Sequence, residues 1–146
     1  MKQVHAVDPL AHHNRIAIII DPGLRAGQMA NRSAVLATGL AARHPEIVGP
    51  DLQTADGRCL GGITKVPMAV LAAEDQAHVF RLTAKADQLG CSLMVYLSRA
   101  QGLRSYEAYQ ASVAKDRFDE LDVDAVIIYG PLKAVRKVTG SLALIR

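Results

Sequence analysis

The 146-residue chain has no tryptophan, two phenylalanines and four tyrosines, so aromatics make up 4% of it while half of its residues are hydrophobic. Its core must be assembled from Ala, Val, Leu and Ile, a composition that suits helices laid on a sheet of branched side chains. Cysteine is equally scarce. Cys59 and Cys91 are far apart, with no C-x-x-C spacing, which argues against a disulfide scaffold and fits two free thiols in a reduced cytoplasm. No apolar run approaches the ~20 residues needed to span a bilayer, and the stretch from Met1 to Pro9 lacks the apolar segment of a signal peptide. The expectation is a cytoplasmic protein with no membrane partner. No P-loop, Gly-x-Gly-x-x-Gly or Ser/His/Asp motif is present, so no cofactor is expected. His12-His13, with His5 and Asp8, invites a metal, but adjacent histidines do not easily point at one ion from a regular element. No metal site is expected.

Acid is missing from the C-terminal end: nothing after Asp124 is acidic, while Lys133, Arg136, Lys137 and Arg146 are basic. Such an end could approach a phosphate or carboxylate ligand, although a solvated helix face also accounts for it. A nucleic-acid surface interleaves cations with aromatics. Here only Tyr129 is near the cluster, so nucleic acid is a weakly supported partner.

What is present reads as one domain, residues 15–146, preceded by a flexible polar arm, residues 1–14. A chain of this size buries roughly two-thirds of its unfolded surface. Arg15 to Ile20 is continuously apolar after its first residue, which implies a central strand buried on both faces. Further strands are expected over 66–71, 91–97 and 124–129, and helices over 28–43, 73–89, 105–115 and 132–138. Asp56-Gly57 could head a small hairpin in the turn-rich stretch 46–65. Pro131 in the first turn and Gly140 just past the end bound the last helix. Alternation of strands and helices at this spacing predicts an α/β sandwich with a mainly parallel sheet.

The strand Ile16 to Ile20, the Asp21 turn, the helix opening Gly27-Gln28-Met29-Ala30-Asn31-Arg32-Ser33, and the ending Tyr129-Gly130-Pro131-Leu132 through Val138-Thr139-Gly140 resemble an uncharacterised bacterial family, domain of unknown function two thousand. More distantly they are similar to type-two peptidyl-tRNA hydrolases. The first resemblance covers nearly the whole chain from Arg15; the second is confined to the first strand and helix, the third strand and the ending. Together they imply a three-layer α/β sandwich of peptidyl-tRNA hydrolase type-two-like fold with a four-stranded mixed sheet, and a homodimer. The departures concern chemistry. Where the hydrolases have Lys-Ile-Ala-Ala-Gln and then a histidine, this chain has Gln28-Met29-Ala30-Asn31-Arg32 and then Val35; where they have Asp-Ala-Gly, it has Ser98-Arg99-Ala100. Peptidyl-tRNA hydrolysis by the usual residues is therefore not expected.

Ligands of open α/β sheets bind beyond the carboxyl ends of strands, beside helix starts. Asp21, Gln28, Asn31, Arg32 and Ser33 fall there, with Ser98 and Arg99 after the third strand and Tyr129 after the fourth. Lys137 adds a basic group. The expectation is a rim with a net positive lining that binds a small anionic ligand or an acidic peptide end. Asp21 is the only carboxylate placed to act as a base should the protein instead be a hydrolase or transferase acting on an acyl or aminoacyl bond.

Overall fold

The computed structural model describes residues 8–146; His5 and the first half of the expected arm lie outside them. The elements are α1 (Pro9–His13), β1 (Asn14–Ile20), α2 (Ala26–Arg43), β2 (Leu52–Gln53), β3 (Cys59–Leu60), β4 (Met68–Ala72), α3 (Gln76–Gln88), β5 (Ser92–Leu97), α4 (Tyr106–Val113), β6 (Val123–Pro131), α5 (Leu132–Thr139) and β7 (Ala143–Leu144). In the described part of the expected arm, Pro9–His13 form α1, which Asp8 caps by accepting from the Leu10 N–H at 2.8 Å.

The sheet has five strands in the order β5-β6-β1-β4-β7, which corrects the expected four. The fifth, β7, pairs Leu144 with Leu71 and Ala143 with Ala72; two residues are too few to show a period in the sequence. The sheet is mixed rather than mainly parallel: β1 and β4 pair in parallel, and the other three pairings are antiparallel. The reason is the length of α4. Helices α2 and α3 carry the chain back across the sheet, so β1, β4 and β5 point the same way. The eight residues of α4 span only about 12 Å, too little to return along a nine-residue strand. The chain stays at one rim, and β6 runs back antiparallel between β5 and β1.

Strand alternation sorts the core into two layers. Ile16, Ile18, Ile20, Ala125 and Ile127 meet Leu36 and Leu40 of α2, while Ala17, Ile19, Val126 and Ile128 meet Val79 and Ala86 of α3 and Val135 and Val138 of α5. Both faces are covered, which is why β1 and β6 read as unbroken apolar runs. The register brings the carboxyl ends of β1, β4 and β5 level with the amino end of β6: Ile20 lies opposite Ala72 and Ala125, and Leu97 opposite Val123. This is the upper rim.

Residues 48–65 form an arm ending in the β2-β3 hairpin, whose turn contains Gly57 at φ 86°, as Asp56-Gly57 suggested. The arm closes on itself where the Gly49 N–H donates to the Ile63 carbonyl at 2.8 Å. Gly62 lies so close to the Gly49 carbonyl that a Cβ would sit 2.0 Å from that oxygen, so only glycine fits. The thiols are free, Cys59 exposed and Cys91 buried, and burial pushes the Cys91 thiol up. No helix of the described residues is long and apolar enough to cross a membrane.

Leu40, fully buried under the sheet, anchors α2. Leu40→Ala should lower unfolding stability by about 2–5 kcal/mol in urea titration, whereas Cys59→Ala on the exposed hairpin should change it by less than about 0.5 kcal/mol.

Candidate functional site

The upper rim is organised by one buried ion pair. Arg32 projects from α2 toward β6, and its Nε and Nη2 donate to the two carboxylate oxygens of Asp124, both at 2.8 Å. Each of the two residues is 2% exposed. Ser98, just past the end of β5, donates its hydroxyl to Asp124 Oδ2 at 2.9 Å and accepts from Gln76 Nε2 of α3 at 3.0 Å. Gln101 Oε1 accepts from Arg32 Nη2 at 3.1 Å and from Gln28 Nε2 at 3.3 Å. The Tyr96 ring lies 4.3 Å from the Arg32 guanidinium carbon, a cation-π distance. The hydrogen bonds to Asp124 lead the effects that raise the Arg32 pKa, against burial, which lowers it; the guanidinium stays charged.

The network brings together Gln28, Arg32 and Ser98 of the residues expected at the rim, and adds three that sequence reasoning missed: Asp124, Gln76 and Gln101. Asp124 could have been found. It is an acid at the head of the apolar run Val-Asp-Ala-Val-Ile-Ile, and a buried carboxylate demands a cation. Gln76 and Gln101 carry no such signal. Asp21 is at this rim too, but its Oδ1 accepts from the Gly23 N–H at 2.9 Å, closing the turn, and its own N–H donates to the Asp124 carbonyl at 3.0 Å.

The remaining expected residues do not converge, which corrects the picture of a positive pocket lined by Asn31, Arg32, Arg99 and Tyr129. Asn31 is exposed on α2. Ser33 turns back to donate to the Met29 carbonyl at 2.8 Å. Arg99 is occupied by acids: it contacts Asp122 Oδ1 at 2.7 Å and Asp116 Oδ2 at 2.5 Å, and its Nη1 donates to the Ser112 carbonyl at 3.2 Å. It fastens the Ser98–Gly102 turn to α4 and to the start of β6. Tyr129 belongs to the opposite rim, in register with Ile16 and Ser92, because β6 runs antiparallel to its neighbours; its ring meets His44 at 4.9 Å. Lys137 is exposed on α5, where its backbone carbonyl accepts from Lys85 Nζ at 2.6 Å.

Beside the network, an open groove of about 640 Å³ runs between α2, β5 and α4. Val35 and Leu36 form one wall, Met94 and Tyr96 the floor, and Tyr106 and Tyr109 the far wall; among the described residues, Arg104 is its only charged lining residue. Tyr96 belongs both to this floor and to the ion-pair network. β5 is the edge strand here, so the groove follows an unpaired strand edge.

The family model for Protein of unknown function (DUF2000) matches residues 14–146. The chain belongs to this family. A solved structure of a protein of unknown function from Agrobacterium tumefaciens strain C58 matches the DUF2000 domain with a TM-score of 0.84 at 21% identity, covering 92% of this chain and 98% of that one. At that identity the likeness shows the fold alone. No curated protein matches the sequence.

Removing one member of the buried pair leaves the other uncompensated. Arg32→Ala should cost about 3–5 kcal/mol, and replacing both Arg32 and Asp124 with apolar residues of similar volume should recover most of it, as read by denaturant titration. A second expectation concerns acid. Burial would raise the Asp122 carboxyl, but hydrogen bonds from the Arg99 side chain and backbone outweigh it and hold the carboxyl below its ordinary value. Its contribution is therefore present above the unfolded value of about 3.9 and lost as pH falls through the lower folded value. Asp122→Asn should make the acid limb of the stability curve shallower there.

Proposed function

We propose that this DUF2000 domain is a binding module whose groove between α2, β5 and α4 takes a ligand with an apolar or aromatic body and one anionic end, either a small metabolite or the acidic end of a peptide. The observation that carries this reading is the groove itself: a largely apolar and aromatic concavity with a single cation, Arg104, that makes no ion pair with the described residues. Pockets of this kind bind through their apolar walls and orient the ligand through a few polar groups. Arg104 would take the anionic end, and the tyrosine hydroxyls would supply further hydrogen bonds.

The binding role moves from the expected rim residues to the groove because the rim's charges are already used. Arg32 and Arg99 are neutralised by Asp124, Asp116 and Asp122. The alternative at this rim, a hydrolase or transferase acting on an acyl or aminoacyl bond through Asp21, is less well supported. Asp124 accepts from Arg32 and Ser98, and Asp21 is engaged in its turn, which leaves little basic capacity at the upper rim. A type-two peptidyl-tRNA hydrolase-like ancestry of the fold remains compatible with this. Homodimer formation is the oligomeric reading, supported by the 48–65 arm, where Leu52, Leu60 and Ile63 are exposed by 53%, 49% and 75%, an apolar display that favours a partner.

A thermal-shift screen of anionic metabolites and of peptides with free or amidated C-termini should find ligands that stabilise the protein. Arg104→Ala should weaken such a ligand by about 1.5–3 kcal/mol, the range for hydrogen bonds to charged groups, without altering the unliganded melting temperature. The purified protein should release little or no peptide from peptidyl-tRNA. Turnover comparable to a true hydrolase, abolished by Asp21→Ala, would overturn the binding-module reading.

A further inference from the structure

At the rim opposite the groove, three side chains from separate parts of the chain form a hydrogen-bonded line. His44 ends α2, its backbone N–H donating to the Leu40 carbonyl at 2.8 Å. One ring nitrogen, Nδ1, lies 3.0 Å from Glu46 Oε1 on the following turn, and the other, Nε2, lies 2.9 Å from the Ser92 hydroxyl on β5. Ser92 and His44 are partly buried, while Glu46 is exposed. The imidazole packs edge-on against Tyr129, which β6 places opposite Ser92.

The donor inventory fixes the direction of this line. A backbone hydrogen bond, with a further contribution from His44, outweighs desolvation and lowers the Glu46 carboxyl below its ordinary value. An ionised carboxylate only accepts, so in the neutral imidazole Nδ1 carries the proton and points it at Glu46. Nε2 is then bare and accepts the Ser92 O–H. Nucleophile, base and base-orienting carboxylate stand in the order that activates a serine. Ser92 follows a tight turn at Gly90, whose φ of 76° suits glycine, and it opens a strand whose outer edge is unpaired. Ser92 and His44 are both only partly buried, which leaves the pair within reach of a small reagent.

We propose that Ser92 is an activated serine, with His44 as its general base and Glu46 as the positioning residue, and that it accepts acyl groups from small activated esters. In the first step the Ser92 oxygen bonds to the carbonyl carbon and its proton passes to His44 Nε2. The ester C–O bond then breaks, and the departing alcohol takes that proton. In the second step His44 removes a proton from water, the resulting hydroxide attacks the acyl-serine, and Ser92 leaves as the hydroxyl, reprotonated by His44. The carboxylic acid is released, and no oxidant or metal is needed. The site is independent of the groove and does not rest on the binding reading.

The test uses a fluorophosphonate probe, which transfers its phosphonyl group to an activated serine with loss of fluoride, followed by peptide mapping. The expected result is an adduct on Ser92 that is absent in Ser92→Ala, while Ser98 stays unmodified. His44→Ala should slow labelling at least tenfold, and added imidazole should restore part of the rate, which a purely structural role for His44 would not allow. Glu46→Gln should slow labelling with an unchanged melting temperature, and Glu46→Asp should recover part of it. A burst of p-nitrophenol from p-nitrophenyl acetate, lost in Ser92→Ala, would report the acyl-enzyme. Absence of a Ser92 adduct in the wild-type protein, or an adduct that forms equally fast in folded His44→Ala, would refute the proposal.

Discussion

The bidentate bond between Arg32 and Asp124 is the constraint around which the upper rim is arranged. Two charges removed from water are tolerated only if each is paired and the remaining polar atoms are satisfied. Ser98, Gln101, Gln28 and Gln76 supply that satisfaction. To do so they must come from the end of β5, the turn after it, and the starts of α2 and α3. One pair thereby ties together the Ser98–Gly102 turn and the starts of two helices. Its energetic value relative to an apolar pair is small, but its demand for partners is specific, and that specificity fixes how helix and sheet meet.

The same logic separates the cations that hold the fold from those free to meet a ligand. Arg32 and Arg99 looked alike in the sequence, each an arginine near a strand end. In the structure both face acids from β6 and the segment before it: Asp124 for one, Asp116 and Asp122 for the other. Arg104, in an undistinguished loop, faces none of them and lines the groove. Whether an arginine can serve recognition is decided by the acids around it in space, and those acids are distant in the chain.

This explains how much could be read in advance. The four long strands and four long helices are legible because each carries its own signal, such as the apolar run of β1 and Pro131 with Gly140 around α5. Strand direction is not, since it depends on whether a connection is long enough to cross the sheet, and α4 has helix-forming sequence without the length. Tyr129 was misplaced for that reason alone; reversing β6 sends it to the other rim. The line through Glu46, His44 and Ser92 escaped detection for a related reason. Its serine is 48 residues from its histidine, and no local motif records that β5 starts beside the end of α2.

The position of β6 has a consequence for synthesis. Among the described residues it is the last long strand in chain order, yet it lies inside the sheet, with β1 on one side and β5 on the other. Until it emerges, β1 and β5 cannot be joined in the native sheet, and the apolar faces meant to pack on β6 lack their partner. A nascent chain that has completed α4 thus holds the β1-β4 pair with an open edge and a β5 with no strand partner, the kind of surface that invites pairing with another chain. Insertion of one strand then closes both gaps and delivers Asp124 to Arg32. Completion of the sheet therefore waits for residues 123–131, which lie inside it although they follow most of its other strands in sequence.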